Sequence, residues 1–181
     1  MRKWFKEKLR KVLEPFFSSR NSSLDHVTLI RIFLNLPEHK WILTNKSARH
    51  ALIELFSELP SDILCVLLIE RKLLLHFCTD RLSANFFQNP NRNIVLIFPD
   101  LLRLLSSARR DLAKAVLLHE LGHVFHNHAE KMMSIREAQI QADQFAWEMG
   151  YGMELMEILA DQLPSFEVPS RIENLIRLTT H

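Results

Sequence analysis

The segment Ala115–His128, AVLLHELGHVFHNH, restricts the folds open to this chain more than any other stretch. It gathers four of the chain's nine histidines and contains no proline. Aliphatic Ala115, Val116, Leu117 and Leu118 precede the first histidine, so the stretch reads as a buried helix with one polar face. At about 100° per residue, His119 and His123 lie about 40° apart on that face. Two imidazoles so placed can share one metal ion. Glu120 stands about 100° from His119, off the ligand pair but within reach of a water on the same ion, which is the geometry of a general base. Random placement of the chain's His and Glu residues would give H-E-x-x-H about 0.03 times. A helix whose histidines are merely solvated or packed is therefore the weaker reading.

The 181 residues, 48% of them hydrophobic, suit a single domain spanning 1–181 with a proper core. With 23 Lys and Arg against 21 Asp and Glu, the net charge of +2 creates no field that would draw nucleic acid, and none is expected as a partner. Cys65 and Cys78 sit in apolar runs without a CxxC pair and read as buried thiols of a reducing compartment. No run approaches the ~18 to 20 apolar residues of a spanning helix, and the N-terminus MRKWFKEKLRKVLEPFF has no apolar core of a secretory signal. A cytoplasmic location is expected. Residues 1–17 place Trp4, Phe5, Leu9, Val12, Leu13 and Phe16 at helical spacing among Lys3, Lys6, Lys8, Arg10 and Lys11, an amphipathic basic helix. Docking of its apolar stripe on the domain is preferred to contact with an anionic membrane surface. Oligomeric state leaves no trace in the sequence.

The elements follow from periodicity and punctuation. The stretch SSLDHVTLIRIFLNLP fits helix or strand equally and stays open. Asn45 caps a predicted helix with Ala48, Ala51, Leu52, Leu55 and Phe56 on its apolar face, stopped at Pro60. Two short apolar runs, 63–69 and 73–78, predict a hairpin or two consecutive strands, and Ile94–Phe98 predicts a third. Helices are expected over 107–128, 134–149, 152–162 and 170–179, with Gly150 and Gly152 breaking the middle pair. The fold class is α+β: a small sheet of about three strands against the H-E-x-x-H helix and further helices.

LLHELGH, followed by QADQFA and GYG, resembles the small zinc metallopeptidases of gluzincin type, the minigluzincins. It is similar to phage-type and ImmA/IrrE-like peptidases and, more distantly, to HtpX-like ones. The similarity runs from about Asn93 to Gly152 and includes Gly122. It implies a zincin-like domain that binds Zn2+, with Ile94–Phe98 as the strand along which a peptide substrate lies. RIENL, Arg171–Leu175, echoes an Arg-containing C-terminal segment of the HtpX-like relatives.

The third zinc ligand is where the sequence departs from that pattern. The resemblance implies a glutamate four residues before the Asp of an Ala-Asp pair, and Ala142-Asp143 fixes the register, so the matching position is Gln139. Glu137 has the preferred carboxylate chemistry but lies about 160° from Gln139 around a regular helix. Glu137 is placed slightly ahead of Gln139, with a shift of Asp143 into the coordination sphere as a third option. Otherwise Asp143 is expected to orient a ligand histidine. The three-histidine metzincin pattern is excluded, because Ala129 stands where its third histidine belongs. His126 and His128 are expected at a solvated helix end, His76 packed in the sheet, and Tyr151 and Arg171 in packing or surface roles rather than at an oxyanion. These residues predict a zinc metalloendopeptidase acting on a protein or peptide substrate, with Glu120 as general base. The alternative is a metal-binding pseudo-peptidase or adaptor.

Overall fold

The computed structural model describes residues 25–79, 92–161 and 168–179; the amphipathic segment 1–17 lies outside these described residues. The stretch left open by periodicity forms helix α1 (His26–Leu34), which buries Leu29, Ile30, Phe33 and Leu34. A 3-10 turn (Pro37–His39) leads to the short helix α2 (Lys40–Thr44). Helix α3 (Lys46–Glu58) buries the five expected residues, and the Asn45 side chain accepts the Ala48 N–H at 3.0 Å as its cap.

The run 63–69 is helical rather than a strand. Helix α4 (Ser61–Cys65) continues as a π-helical turn (Val66–Glu70). A short apolar run bounded by turn residues suits a buried strand and a buried helix equally. Here Pro60 starts the helix, Asp62 sits in its first turn where a carboxylate is favoured, and Leu64 and Leu67, three apart, are the buried positions. Lys72, at φ 51, ends the turn ahead of strand β1 (Leu74–Phe77).

Strand β2 (Ile94–Ile97) pairs with β1 in parallel, Leu74 opposite Ile94 and Phe77 opposite Ile97. The described sheet thus has two parallel strands, not about three with a hairpin. Side chains close the outer edge of β1: His39 Nε2 accepts the Leu75 N–H at 3.0 Å and Trp41 Nε1 donates to the Leu75 carbonyl at 3.3 Å. Since Asn93 and Ile97 carbonyls face β1, alternation along a parallel ladder turns the backbone groups of Ile94 and Leu96 to the other edge. No partner strand covers that edge among the described residues.

Helix α5 (Pro99–Leu105) starts on Pro99, whose fixed φ suits a first helical position. Helix α6 (Arg110–Phe125) is the central element, with ten of its sixteen residues buried. Around it stand α7 (Ile135–Glu148), α8 (Gly152–Asp161) and α9 (Val168–Thr179). Gly122 permits the close crossing of α6 and α7, since a Cβ there would lie 3.0 Å from Ala142 Cα and 3.0 Å from Phe145 Cβ. Gly150, at φ +88, turns the chain between α7 and α8 in a conformation that favours glycine. Among the described residues, no helix is long and apolar enough to cross a membrane.

Candidate metal centre

Helix α6 presents His119 and His123 on one face, as the four-residue spacing requires, with their Nε2 atoms 3.2 Å apart. His119 is buried and His123 half-buried. Glu120 is exposed, and among the described residues no hydrogen bond or ion pair ties its carboxylate, which stands open to solvent beside the pair.

The partners behind the rings fix their protons. His119 Nδ1 lies 2.8 Å from Asp143 Oδ1; a carboxylate only accepts, so Nδ1 carries the proton and Nε2 presents its lone pair. His123 Nδ1 lies 2.8 Å from His128 Nδ1, and His128 Nε2 lies 3.0 Å from Gln141 Oε1. The amide oxygen accepts from His128 Nε2–H, leaving His128 Nδ1 to accept from His123 Nδ1–H. His123 Nε2 is then also a bare lone pair. Burial, reinforced by His119, His128 and Arg171, pushes His123 down to about 4, which keeps the ring neutral near pH 7. Two lone pairs facing each other at 3.2 Å repel unless a cation lies between them.

His128 corrects the expectation of a solvated helix end. Helix α6 stops at Phe125, and Asn127 adopts the left-handed conformation (φ 57, ψ 44) that turns the chain back. Asparagine tolerates that region better than most residues. His128 thereby returns to His123, while half-buried His126 rests edge-on against Phe125 and stacks on His128 at 13°.

Helix α7 supplies the opposite wall. Asp143 is fully buried and accepts from Arg171 Nε at 2.7 Å and Arg171 Nη2 at 2.6 Å, besides facing His119. Burial raises its pKa, but the bonds to Arg171 and His119 outweigh this and hold the carboxyl below its usual value. Gln139 lies one turn earlier, about 40° from Asp143 around the helix; its Oε1 is buried and has no hydrogen-bond partner among the described residues. Glu137 is engaged elsewhere. Its carboxylate accepts from Ser134 N and Ser134 Oγ at 3.1 and 2.8 Å, and the Ser134 hydroxyl accepts the Glu137 N–H at 3.2 Å, a reciprocal cap at the exposed start of α7.

Arg171, expected in a packing or surface role, instead reaches from α9 to grip Asp143. Tyr151 belongs to another network: its hydroxyl donates to Glu58 and accepts from Lys114 Nζ at 3.2 Å. Lys114 is buried, which lowers its pKa, but its bond to Tyr151 and its pairs with Glu54 and Asp111 at 3.2 and 3.3 Å outweigh this and raise it. This network joins α3, α6 and the start of α8.

Residues 78–157 match the family model of Peptidase family M48. The match supports a metallopeptidase, a hydrolase, and covers His119 to Tyr151 while Arg171 lies beyond it. Comparisons with curated proteins and with solved structures found no match. M48 peptidases are generally zinc-dependent, and the donors can be tested against that ion. Two imidazoles on a tetrahedral zinc at Zn–N of about 2.0–2.1 Å have their nitrogens about 3.3 Å apart, close to the 3.2 Å found here. No group of three or more His, Cys, Asp or Glu among the described residues is arranged to hold a metal. The two imidazole nitrogens fit the ion, and the Gln139 amide oxygen, buried and without a hydrogen-bond partner among the described residues, has the chemistry of a further, weaker donor.

Proposed function

We propose that the chain is a zinc-dependent endopeptidase. His119 and His123 hold the ion through Nε2, Gln139 Oε1 supplies the third protein donor, and Asp143 and Arg171 orient His119. Bound Zn2+ would supply a Lewis acid and an acidified water. Glu120 accepts the proton of the attacking water and returns it to the departing amine as the carbonyl C–O bond forms and the C–N bond breaks. The edge of β2 that no described strand covers offers Ile94 and Leu96 backbone groups to an extended peptide, so a protein or peptide lies there as an added strand.

The observation that carries this reading is the 3.2 Å approach of the two imidazole Nε2 atoms, each ring backed by a different partner. Zinc stoichiometry and casein cleavage test it. The wild type should bind one zinc per chain and cleave, while Glu120→Gln keeps the zinc and loses about 10²- to 10⁴-fold in rate. A wild type that takes up no zinc, or an unimpaired Glu120→Gln, overturns the reading.

A second reading, a metal-binding protein without catalysis, is favoured by Gln139, because a neutral amide oxygen is a weaker zinc donor than a carboxylate. Under that reading the zinc-loaded wild type cleaves nothing and Gln139→Glu gains cleavage.

A further inference from the structure

We infer that His128 is a positioning residue for His123, fixing its tautomer and its aim at the ion. The inference rests on the zinc-peptidase reading and adds to it a specific partner for the second histidine. Metal-bound imidazoles need an acceptor at the ring nitrogen that does not bind the metal, usually a carboxylate, carbonyl or water. For His119 that acceptor is Asp143. For His123 it is the neutral imidazole of His128, at 2.8 Å between Nδ1 atoms.

His128 can act this way because its own ring is fixed on both sides. Gln141 Oε1, at 3.0 Å, accepts from Nε2 and so keeps the lone pair on Nδ1, while the stacked His126 ring sets the plane. The chain of bonds runs in one direction, from His123 Nδ1–H to His128 and from His128 Nε2–H to Gln141. His128 is not itself a donor to the same ion: it meets His123 on Nδ1, whereas His119 meets His123 on Nε2, and the two ring nitrogens point apart. The separations agree, since 2.8 Å suits an N–H···N hydrogen bond and is short of the ~3.3 Å nitrogen spacing across a zinc ion.

The test compares wild type, His128→Ala, His128→Phe and His128→Asn. Zinc affinity is measured by competition with a chromophoric chelator, and ring ¹⁵N shifts are recorded on the zinc-loaded chains. Phenylalanine keeps a ring against His126 but has no acceptor; asparagine places an oxygen near the position of Nδ1. The Ala and Phe variants should lose about 10- to 100-fold in zinc affinity, and Asn should recover most of it. The wild-type ¹⁵N shifts should show His123 protonated at Nδ1 and His128 at Nε2. Ala and Phe variants that bind zinc as tightly as wild type overturn the role of His128 and leave the zinc reading standing. A wild type that binds no zinc overturns both. Far-UV circular dichroism of the zinc-free variants identifies any that fail to fold, and the wild-type tautomers then decide: His128 protonated at Nδ1 overturns the inference.

Discussion

The guanidinium of Arg171 grips both carboxylate oxygens of Asp143, at 2.7 and 2.6 Å, and the same carboxylate holds His119 Nδ1 at 2.8 Å. One buried acid thus ties the C-terminal helix to the imidazole pair. Removing Arg171 leaves Asp143 charged, buried and short of its main partner. Arg171→Ala should destabilise the chain by about 3–5 kcal/mol, measured by urea unfolding without zinc. Arg171→Ala/Asp143→Asn should be less destabilised than the two single losses added together. Full additivity would show that the two side chains do not act as a unit.

The proposed ligand set gives Gln139 to the ion and Glu137 to the cap of α7. Gln139→Glu should tighten zinc by at least about tenfold, ~1.4 kcal/mol, because a carboxylate replaces an amide oxygen. Glu137→Ala should leave zinc affinity unchanged and lower stability by about 1 kcal/mol through loss of the cap. Calorimetric zinc titration with thermal melts of both variants checks this, and loss of zinc in Glu137→Ala would return Glu137 to the metal.

Gly122→Ala should cost about 1–3 kcal/mol by overpacking, since its Cβ meets Ala142 Cα and Phe145 Cβ at 3.0 Å. Both neighbours belong to α7, so relief comes by moving α7 off α6 and drawing Gln139 and Asp143 away from the imidazoles. Weaker zinc binding should accompany the lower melting temperature; an unchanged affinity would show that the crossing does not set the site.

His39 makes stability depend on pH. It is fully buried, its Nδ1 donates to the Phe33 carbonyl at 2.7 Å and its Nε2 accepts from Leu75 N–H, so only the neutral ring satisfies both. Burial lowers its pKa; the Phe33 carbonyl and Glu38 oppose this and Arg92 adds to it. With the folded pKa below the unfolded value, the unfolded chain binds the extra proton. Its contribution is therefore full above about pH 6.5 and lost as pH falls below that, by at most ~1.4 kcal/mol per unit. Urea midpoints at pH 7.5 and 5.5 should fall further for wild type than for His39→Gln. Equal falls would remove His39 as the cause.

Much of the local structure was legible in the sequence. The Asn45 cap, the apolar face of α3, the break at Gly150 and the facing of His119 and His123 follow from spacing along one element. The run 63–69 is helical where a strand is expected, because a short apolar segment has no period that separates strand from helix. Carboxylate chemistry favours Glu137 over Gln139 as a ligand, while Ser134 three residues before Glu137 spells the reciprocal cap seen in the structure. The contacts of His128 and Arg171 are illegible in the sequence because they join separate elements. On a straight helix His128 would lie about 140° from His123, and only the left-handed turn at Asn127 brings it back.

By itself the sequence determined that a helix would carry two imidazoles on one face with a carboxylate beside them, because the angle per residue is a local property of the backbone. Tertiary structure alone decided which way each ring donates its proton, which acid lies behind His119, which amide oxygen has no partner among the described residues and which histidine stands behind His123. Those depend on how closely α6 and α7 approach at Gly122, where Asn127 turns the chain and how far Arg171 reaches from α9. No period along a single element encodes distances between elements.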